Sequence, residues 1–198
     1  MSLAMSLLCK YIAWYWLNQL TGETRPFNCG SWVCPVHRGL VAYHWAARVA
    51  GARPERMITF TNIPKDKTRA YLAFQHLIQN FRRDGYAFEY CRFLEVGART
   101  GMYHFHLAQK GDYIPKHYLS ERCVANGLGK ITDIRRCKGL GPAWYMAKYI
   151  TKEGAPKDWR KVAYSRGFFQ GEPEFESEPG WVLVKSACLP VELVSIQV

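Results

Sequence analysis

Hydrophobic and polar positions follow a regular order from residue 56 onward, with strand-like and helix-like periods in alternation. Residues 56–62 are rich in β-branched and aromatic side chains and stop before Pro64, which predicts a strand. Residues 66–85 repeat apolar side chains every three or four positions, which predicts an amphipathic helix. Gly85 suits the position after its last turn, because glycine tolerates the left-handed backbone that often ends a helix.

The pattern then predicts a hairpin followed by further elements of both kinds. Residues 88–96 and 102–109 predict two strands joined by the turn-like segment GARTG. A short helix is expected after Pro115, a strand at 129–136 and another helix at 139–154. Strands and helices in this order predict an α+β fold with a central antiparallel sheet and flanking helices.

The segments on either side of this region have less regular patterns. Residues 1–17 are apolar and aromatic, and we expect a helix packed on the domain, with a peripheral membrane helix as the alternative. Lys10 interrupts this stretch before it reaches the length of a membrane span. Another helical stretch surrounds residues 41–49. The predicted organisation is an N-terminal helical extension with a Cys/His loop (1–55), a core domain (56–170) and a C-terminal tail with a strand at 181–187 (171–198).

The chain is strongly basic. Lysine and arginine number 27 against 16 aspartates and glutamates, which gives a net charge of +11 spread over the chain. A folded basic surface attracts polyanions, most often nucleic acid, although a basic domain without such a role is the alternative. Seven cysteines are an odd number, and no secretory signal is evident. We therefore expect a protein of the reducing cytoplasm without stable membrane association.

The segment MYHFHLAQ places two of the six histidines one residue apart in a predicted strand. Side chains two positions apart point to the same face of a strand. His104 and His106 therefore share one face, and Tyr103, Phe105 and Leu107 share the other, which is predicted to be core. The histidine pair is either half of a metal site or two ordinary hydrogen-bonded strand residues.

Glu95, near the end of the preceding strand, is the candidate third ligand. Residues near the end of one hairpin strand lie opposite residues near the start of the next, so Glu95 can reach His104 and His106. One carboxylate and two imidazoles leave coordination positions open for water and phosphate oxygens. Such a donor set suits Mn²⁺ or Mg²⁺.

The predicted helix at 139–154 carries candidate catalytic side chains. Tyr145 and Tyr149 are four residues apart, as are Lys148 and Lys152, so each pair shares a helix face. A phenol is a weak nucleophile because its pKa is about 10, and a nearby ammonium favours the reactive phenolate. Covalent attack by tyrosine on a phosphodiester would retain the bond energy for rejoining. Packing in the core is the alternative role for tyrosines at this spacing.

In order, these motifs resemble those of HUH endonucleases, the rolling-circle replication initiators (Rep proteins) and related transposases and relaxases. The family name describes His-hydrophobic-His, here HFH at 104–106, and ITFTN and YITKEG resemble two motifs of viral Reps. CGSWVCPVH, FEYCRFLEV, GDYIP, TDIRR and YMAKYITK are similar to segments of phage- and plasmid-type initiators. The similar segments run from Cys29 to Gly167 and imply the ferredoxin-like fold of HUH nucleases.

The resemblance implies a sequence-specific nickase and strand transferase that forms a 5′-phosphotyrosine link and leaves a 3′ hydroxyl as primer. Carried over to matching positions, Tyr149 is the nucleophile, Lys152 supports it, and Glu95, His104 and His106 bind the metal. Some relatives use two tyrosines four apart, so Tyr145 is either a second nucleophile or a packing or DNA-contacting residue.

The implied partners are a single-stranded DNA origin and the replication machinery of a host cell. No Walker A motif occurs in the sequence, so unwinding falls to a host helicase, and a host polymerase extends the primer. The same motifs are compatible with an HUH transposase. A non-catalytic domain that binds single-stranded nucleic acid is the alternative from a different class.

The N-terminal loop contains a candidate zinc site. Cys29, Cys34 and His37 have His where the similar initiators have Cys, and His can replace Cys as a zinc ligand. A fourth ligand would have to come from Cys9 or His44. The alternative is a loop of buried thiols without metal.

Single-stranded DNA is held by a cationic groove together with stacking side chains. Trp144 and Trp159 are candidate stacking residues, as is Tyr103. The candidate DNA-binding residues are Thr61, Asn62, Tyr103, Arg135, Arg136, Lys138 and Lys148.

Overall fold

The computed structural model describes residues 9, 14–32, 34–97, 99–130, 132–138, 159–170 and 180–185. The chain divides into a central unit, Ala42–Glu172, and a flanking unit, Met1–Val41 with Pro173–Val198. The division falls inside helix α1 (Arg38–Gly51). The predicted helix at 139–154 lies outside the described residues.

The central unit is built on a five-stranded antiparallel sheet with strand order β6-β3-β5-β4-β7. The predicted hairpin is confirmed as β4 and β5, which are adjacent in the sheet. Its strands are β3 (Arg56–Ile63), β4 (Phe88–Val96), β5 (Tyr103–Gly111), β6 (Thr132–Arg136) and β7 (Val162–Tyr164). The predicted α+β fold with a central antiparallel sheet is therefore confirmed.

Two predicted helices of the central unit are also confirmed. Helix α2 (Lys67–Arg83) begins after Asp66, whose side chain caps it by accepting a 2.6 Å hydrogen bond from the backbone N–H of Arg69. Gly85 follows its end with φ of +91°, a conformation that only glycine adopts without strain. Helix α3 (Lys116–Ala125) follows Pro115, as expected.

One face of the sheet packs against α2 and α3 to form the main core. Phe60, Leu94, Phe105 and Leu107 alternate along three strands and are each at most 1% exposed. The ring of Phe74 on α2 meets that of Phe105 edge to face, with centroids 5.3 Å apart. Each such buried side chain contributes about 1.5–3 kcal/mol to folding, so this face makes the sheet a rigid platform.

The opposite face of the sheet carries the histidines, and part of it is covered as well. Trp45 on α1 meets Phe93 edge to face, with ring centroids 6.4 Å apart. Phe93 lies beside His106 in the strand register, and the two are 1% and 4% exposed. Both faces of the sheet are therefore buried near His106, whereas the sequence pattern predicted core on one face alone.

The flanking unit contains a three-stranded antiparallel sheet with strand order β2-β1-β8. Its strands are β1 (Trp14–Asn18), β2 (Thr24–Pro26) and β8 (Trp181–Lys185). The predicted strand near 181–187 is confirmed over β8, but the predicted helix at 1–17 is wrong where it overlaps β1. Aromatic side chains favour strands, and the pairing of β1 with β8 joins distant parts of the sequence. Residues 1–8 and 10–13 lie outside the described residues.

Candidate active site

The candidate metal ligands of the central unit lie on adjacent strands. The register of β4 and β5 places Glu95 directly opposite His104, and Phe93 directly opposite His106. Side chains at matched positions of antiparallel strands point to the same face. Glu95, His104 and His106 therefore share one face of the sheet, the face opposite the main core.

Glu95 and His106 are in direct contact. Oε2 of Glu95 lies 2.7 Å from Nε2 of His106, and the two residues are 8% and 4% exposed. A buried carboxylate is unfavourable unless it is paired or hydrogen-bonded, so the imidazole N–H that donates to it stabilises the arrangement. A divalent cation bound between the two atoms would take the place of this proton.

Thr59 on β3 contacts the other nitrogen of His106. Its Oγ1 lies 3.0 Å from Nδ1, and Thr59 pairs with His106 in the strand register. A neutral imidazole has one N–H and one lone pair, whereas a hydroxyl can both donate and accept. Thr59 can therefore hold the ring in the same orientation whether Nε2 donates to Glu95 or ligates an ion. Sequence reasoning selected Thr61 and missed Thr59, although strand alternation places the two threonines on one face.

His104 is half-buried and lies apart from the Glu95–His106 contact. Its ring centroid is 6.3 Å from that of His106, and its Nε2 lies 3.5 Å from the place where a Cβ on Gly97 would be. Among the described residues, Glu95, His104 and His106 do not form a group whose donor atoms all lie within 4.8 Å of one another. Residues directly opposite have Cβ atoms about 5 Å apart, so a change of the His104 rotamer brings its ring within reach of Glu95.

A further carboxylate lies in the same row of the sheet. Asp133 on β6 pairs in register with Thr59, and its Oδ2 lies 2.5 Å from Nε of Arg135. Both side chains are largely exposed, so solvent weakens this ion pair. Arg135, a predicted DNA contact, is thus at the surface with a carboxylate partner, and sequence reasoning missed Asp133.

The other predicted DNA contacts differ in their surroundings. Arg136 and Lys138 are exposed, whereas Thr61 is half-buried at an irregularity of β3. Tyr103 is also half-buried, with its ring 4.9 Å from that of Trp159, and Trp159 is only 7% exposed. The two predicted stacking residues therefore pack with the core. The backbone of Asn62 lies in β3.

Several predicted site residues lie outside the described part of the chain. These include both candidate nucleophiles and the lysines beside them, so their roles stay predictions. The residues concerned are Trp144, Tyr145, Lys148, Tyr149 and Lys152.

A basic pocket on the central unit was missed by sequence reasoning. It is lined by three cationic side chains and an exposed tyrosine, and the guanidinium of Arg56 lies 5.5 Å from the ring centroid of Tyr113. Cations beside an aromatic ring suit contacts with phosphate and base. Its lining residues are Arg56, Tyr113, Lys116, Ile134 and Arg136.

A second cluster of metal-ligating side chains lies in the flanking unit. One ligand atom from each of Cys9, Cys29, Cys34 and His37 lies within 4.8 Å of all the others. Three sulfurs and one imidazole nitrogen at this spacing can hold a metal ion such as Zn²⁺. The fourth member is Cys9, and the ring of His44 instead lies beside that of Tyr43.

The surroundings of this cluster change its acid–base behaviour. Burial tends to raise the pKa of the Cys34 thiol, but backbone hydrogen bonds from His37 and Val36, with contacts to the sulfurs of Cys9 and Cys29, lower it below its ordinary value. Burial lowers the pKa of His37, which favours its neutral form. Metal binding requires deprotonated thiols and a neutral imidazole.

Comparison with known proteins places the chain in the class of DNA replication proteins. A family model described as replication-associated protein ORF2 matches residues 55–154, half of the chain. The chain belongs to this family, which gives it a role in the initiation of replication. No curated protein and no solved structure matches the chain. No helix within the described residues is long and apolar enough to cross a membrane.

Proposed function

We propose that this protein starts rolling-circle replication by nicking a single-stranded DNA origin as a metal-dependent, sequence-specific endonuclease and strand transferase. The observation that carries the proposal is the buried contact between Glu95 and His106, with His104 beside it, in the half of the chain that matches a replication family. The net charge of +11 suits a polyanionic substrate.

The side chains of Glu95, His104 and His106 fit a divalent cation by their chemistry. A carboxylate and two imidazoles make a mixed donor set with room for water and phosphate oxygens. Thr59 holds the far nitrogen of His106, as outer partners commonly do for ligating histidines. When bound, Mn²⁺ or Mg²⁺ supplies a Lewis acid for the scissile phosphate.

In this proposal the phenol oxygen of Tyr149 attacks the phosphorus of the scissile phosphodiester. A bond forms between phosphorus and that oxygen, the bond from phosphorus to the 3′ oxygen breaks, and the 3′ oxygen takes up a proton. The phenol proton passes to solvent, and the ammonium of Lys152 favours the phenolate. The resulting 5′-phosphotyrosine retains the bond energy, so a 3′ hydroxyl can attack it later and rejoin the strand.

The DNA is proposed to lie across the basic surface near β6 and the tyrosine helix. Arg136 and Lys138 are exposed and available for phosphate contacts, and Arg135 can exchange Asp133 for a phosphate. Host helicase and polymerase would unwind and extend the nicked strand. The proposed DNA-contacting residues are Thr61, Asn62, Tyr103, Arg135, Arg136, Lys138 and Lys148.

The proposal is tested by incubating the full chain with an origin-bearing single-stranded oligonucleotide and Mn²⁺. We expect a denaturation-resistant adduct, with mass spectrometry locating the 5′-phosphorylated fragment on Tyr149. Tyr149→Phe should abolish the adduct, whereas Tyr43→Phe, a change at an exposed tyrosine of α1, should not. An adduct formed equally well by Tyr149→Phe would refute the assignment of the nucleophile.

The same assay separates the alternative functions. Tight, salt-dependent binding without an adduct under any divalent metal would identify a non-catalytic binding domain. Cleavage of transposon ends in preference to a replication origin would identify a transposase. Loss of rejoining with retained first cleavage in Tyr145→Phe would make Tyr145 a second nucleophile.

A further inference from the structure

We propose that Cys9, Cys29, Cys34 and His37 bind one structural zinc ion that stabilises the flanking unit. The four ligand atoms lie within 4.8 Å of one another although the residues come from two separate parts of the sequence. The sequence predicted three of these ligands and left the fourth open between Cys9 and His44, and the structure brings in Cys9.

The distances within the cluster agree with tetrahedral coordination. With Zn–S of about 2.3 Å and Zn–N of about 2.1 Å, a tetrahedral ion holds a sulfur and a nitrogen about 3.6 Å apart. Nδ1 of His37 lies 3.3 Å from Sγ of Cys9 and 3.7 Å from Sγ of Cys34. The cluster is therefore already spaced for an ion without rearrangement of the backbone.

The donor set selects zinc and a structural role. Thiolate ligands favour zinc over Mg²⁺ or Mn²⁺, which prefer oxygen. Four protein ligands close the coordination sphere, whereas catalytic zinc sites keep one position for water. The cluster thus has no position for a substrate atom.

The local backbone supports the two turns that carry the ligands. The backbone N–H of His37 lies 3.4 Å from Sγ of Cys34 and can donate to it, which stabilises a negatively charged sulfur. Gly30, directly after Cys29, has φ of +67°, and its N–H donates to the side chain of Asn28 at 2.9 Å. The loop is therefore folded around its sulfurs.

The flanking unit also has little else to hold it together. Among its described residues, only Asn18, Cys34, His37 and Val41 are buried, and two of these four are proposed ligands. Small units with few buried apolar side chains commonly depend on a metal or on disulfides. A zinc ion would supply a cross-link between Cys9 and the loop before α1.

The test is the metal content of the full chain purified under reducing conditions without added chelator. We expect about one zinc per chain by mass spectrometry of the metal. After zinc is removed, titration with Co²⁺ should give the visible bands of tetrahedral cobalt and near-ultraviolet thiolate-to-cobalt charge transfer. A chain without zinc and without this Co²⁺ spectrum would overturn the proposal.

Variants identify the ligands. Cys34→Ser and Cys9→Ser should each lose zinc, whereas Cys137→Ser, which changes a half-buried thiol of the central unit, should retain it. His37→Cys should retain zinc, because four thiolates also form a structural site. Retention of zinc by Cys9→Ser and Cys34→Ser would refute these ligands, and the Co²⁺ titration of the wild-type chain decides the matter if the variants do not fold.

Two further measurements separate this proposal from its competitors. If two of the cluster thiols form a disulfide instead, denatured and unreduced chain will show five reactive thiols in place of the seven cysteines. Zinc content is measured without DNA, and Tyr149→Phe should keep it. Failure of the nicking proposal would therefore leave this one intact, and the reverse also holds.

Discussion

The two ligand clusters of this protein differ in their donor atoms, and the difference indicates different roles. Glu95, His104 and His106 offer one oxygen donor group and two imidazoles, with space left for other ligands. The cluster in the flanking unit offers three sulfurs and one imidazole, which fill a tetrahedral ion. The first set suits an ion that contacts a substrate, and the second suits an ion that only holds the chain.

The support behind the two clusters differs as well. Glu95 and His106 stand on central strands whose other face packs in a core of phenylalanine and leucine side chains. The Cys/His cluster lies on loops of a unit with few buried residues among those described. We infer that the strands position Glu95 and His106 without an ion, whereas the loops depend on theirs.

The largest effect is expected from breaking the first cluster with Glu95→Gln. The amide keeps the shape and a hydrogen bond to His106 but loses the charge that attracts a cation. Cleavage of the origin oligonucleotide should slow by about 100-fold or more, which corresponds to about 2.7 kcal/mol of transition-state stabilisation. Single-turnover kinetics with saturating DNA and Mn²⁺ measure this.

Glu89→Gln is the matched control, because it removes a carboxylate from the same strand six residues away. Its cleavage rate should remain near that of the wild type, and both variants should keep their zinc. Equal cleavage by Glu95→Gln and wild type would remove Glu95 from the metal site.

A smaller effect is expected from Thr59→Val, which sharpens the comparison by testing the outer support of His106. Loss of an outer hydrogen bond to a ligating histidine typically weakens metal binding about 10–100-fold. The Mn²⁺ concentration for half-maximal cleavage should rise by that factor, with the rate regained at high Mn²⁺. Thr59→Ser keeps the hydroxyl and should behave like the wild type. A lower rate that Mn²⁺ does not restore would indicate a purely structural role for Thr59.

Much of the central unit could be predicted because its signals are local. Helix α2 follows from apolar spacing and from Gly85, and β4 and β5 follow from alternation on either side of a glycine-containing turn. β1 was mispredicted as helix because its partner β8 lies far along the chain. An aromatic, apolar segment without a visible partner carries no period that distinguishes a strand from a buried helix.

The candidate site was predictable as far as strand register allows. The hairpin pattern places Glu95 near the histidines, and the structure shows its contact with His106. Thr59 and Asp133 were missed because they come from β3 and β6, whose order in the sheet is not encoded in any local pattern. Cys9 became identifiable as a ligand only through the folded flanking unit, because its separation from Cys29 matches no short metal-binding motif.

The most direct test of the central claim is adduct formation by the zinc-containing full chain as a function of the added metal. EDTA present from the start of the reaction should abolish the covalent adduct, and excess Mn²⁺ or Mg²⁺ should restore it, whereas Zn²⁺ alone should not. An adduct that forms at the wild-type rate in EDTA would contradict the claim that Glu95, His104 and His106 hold a catalytic divalent cation.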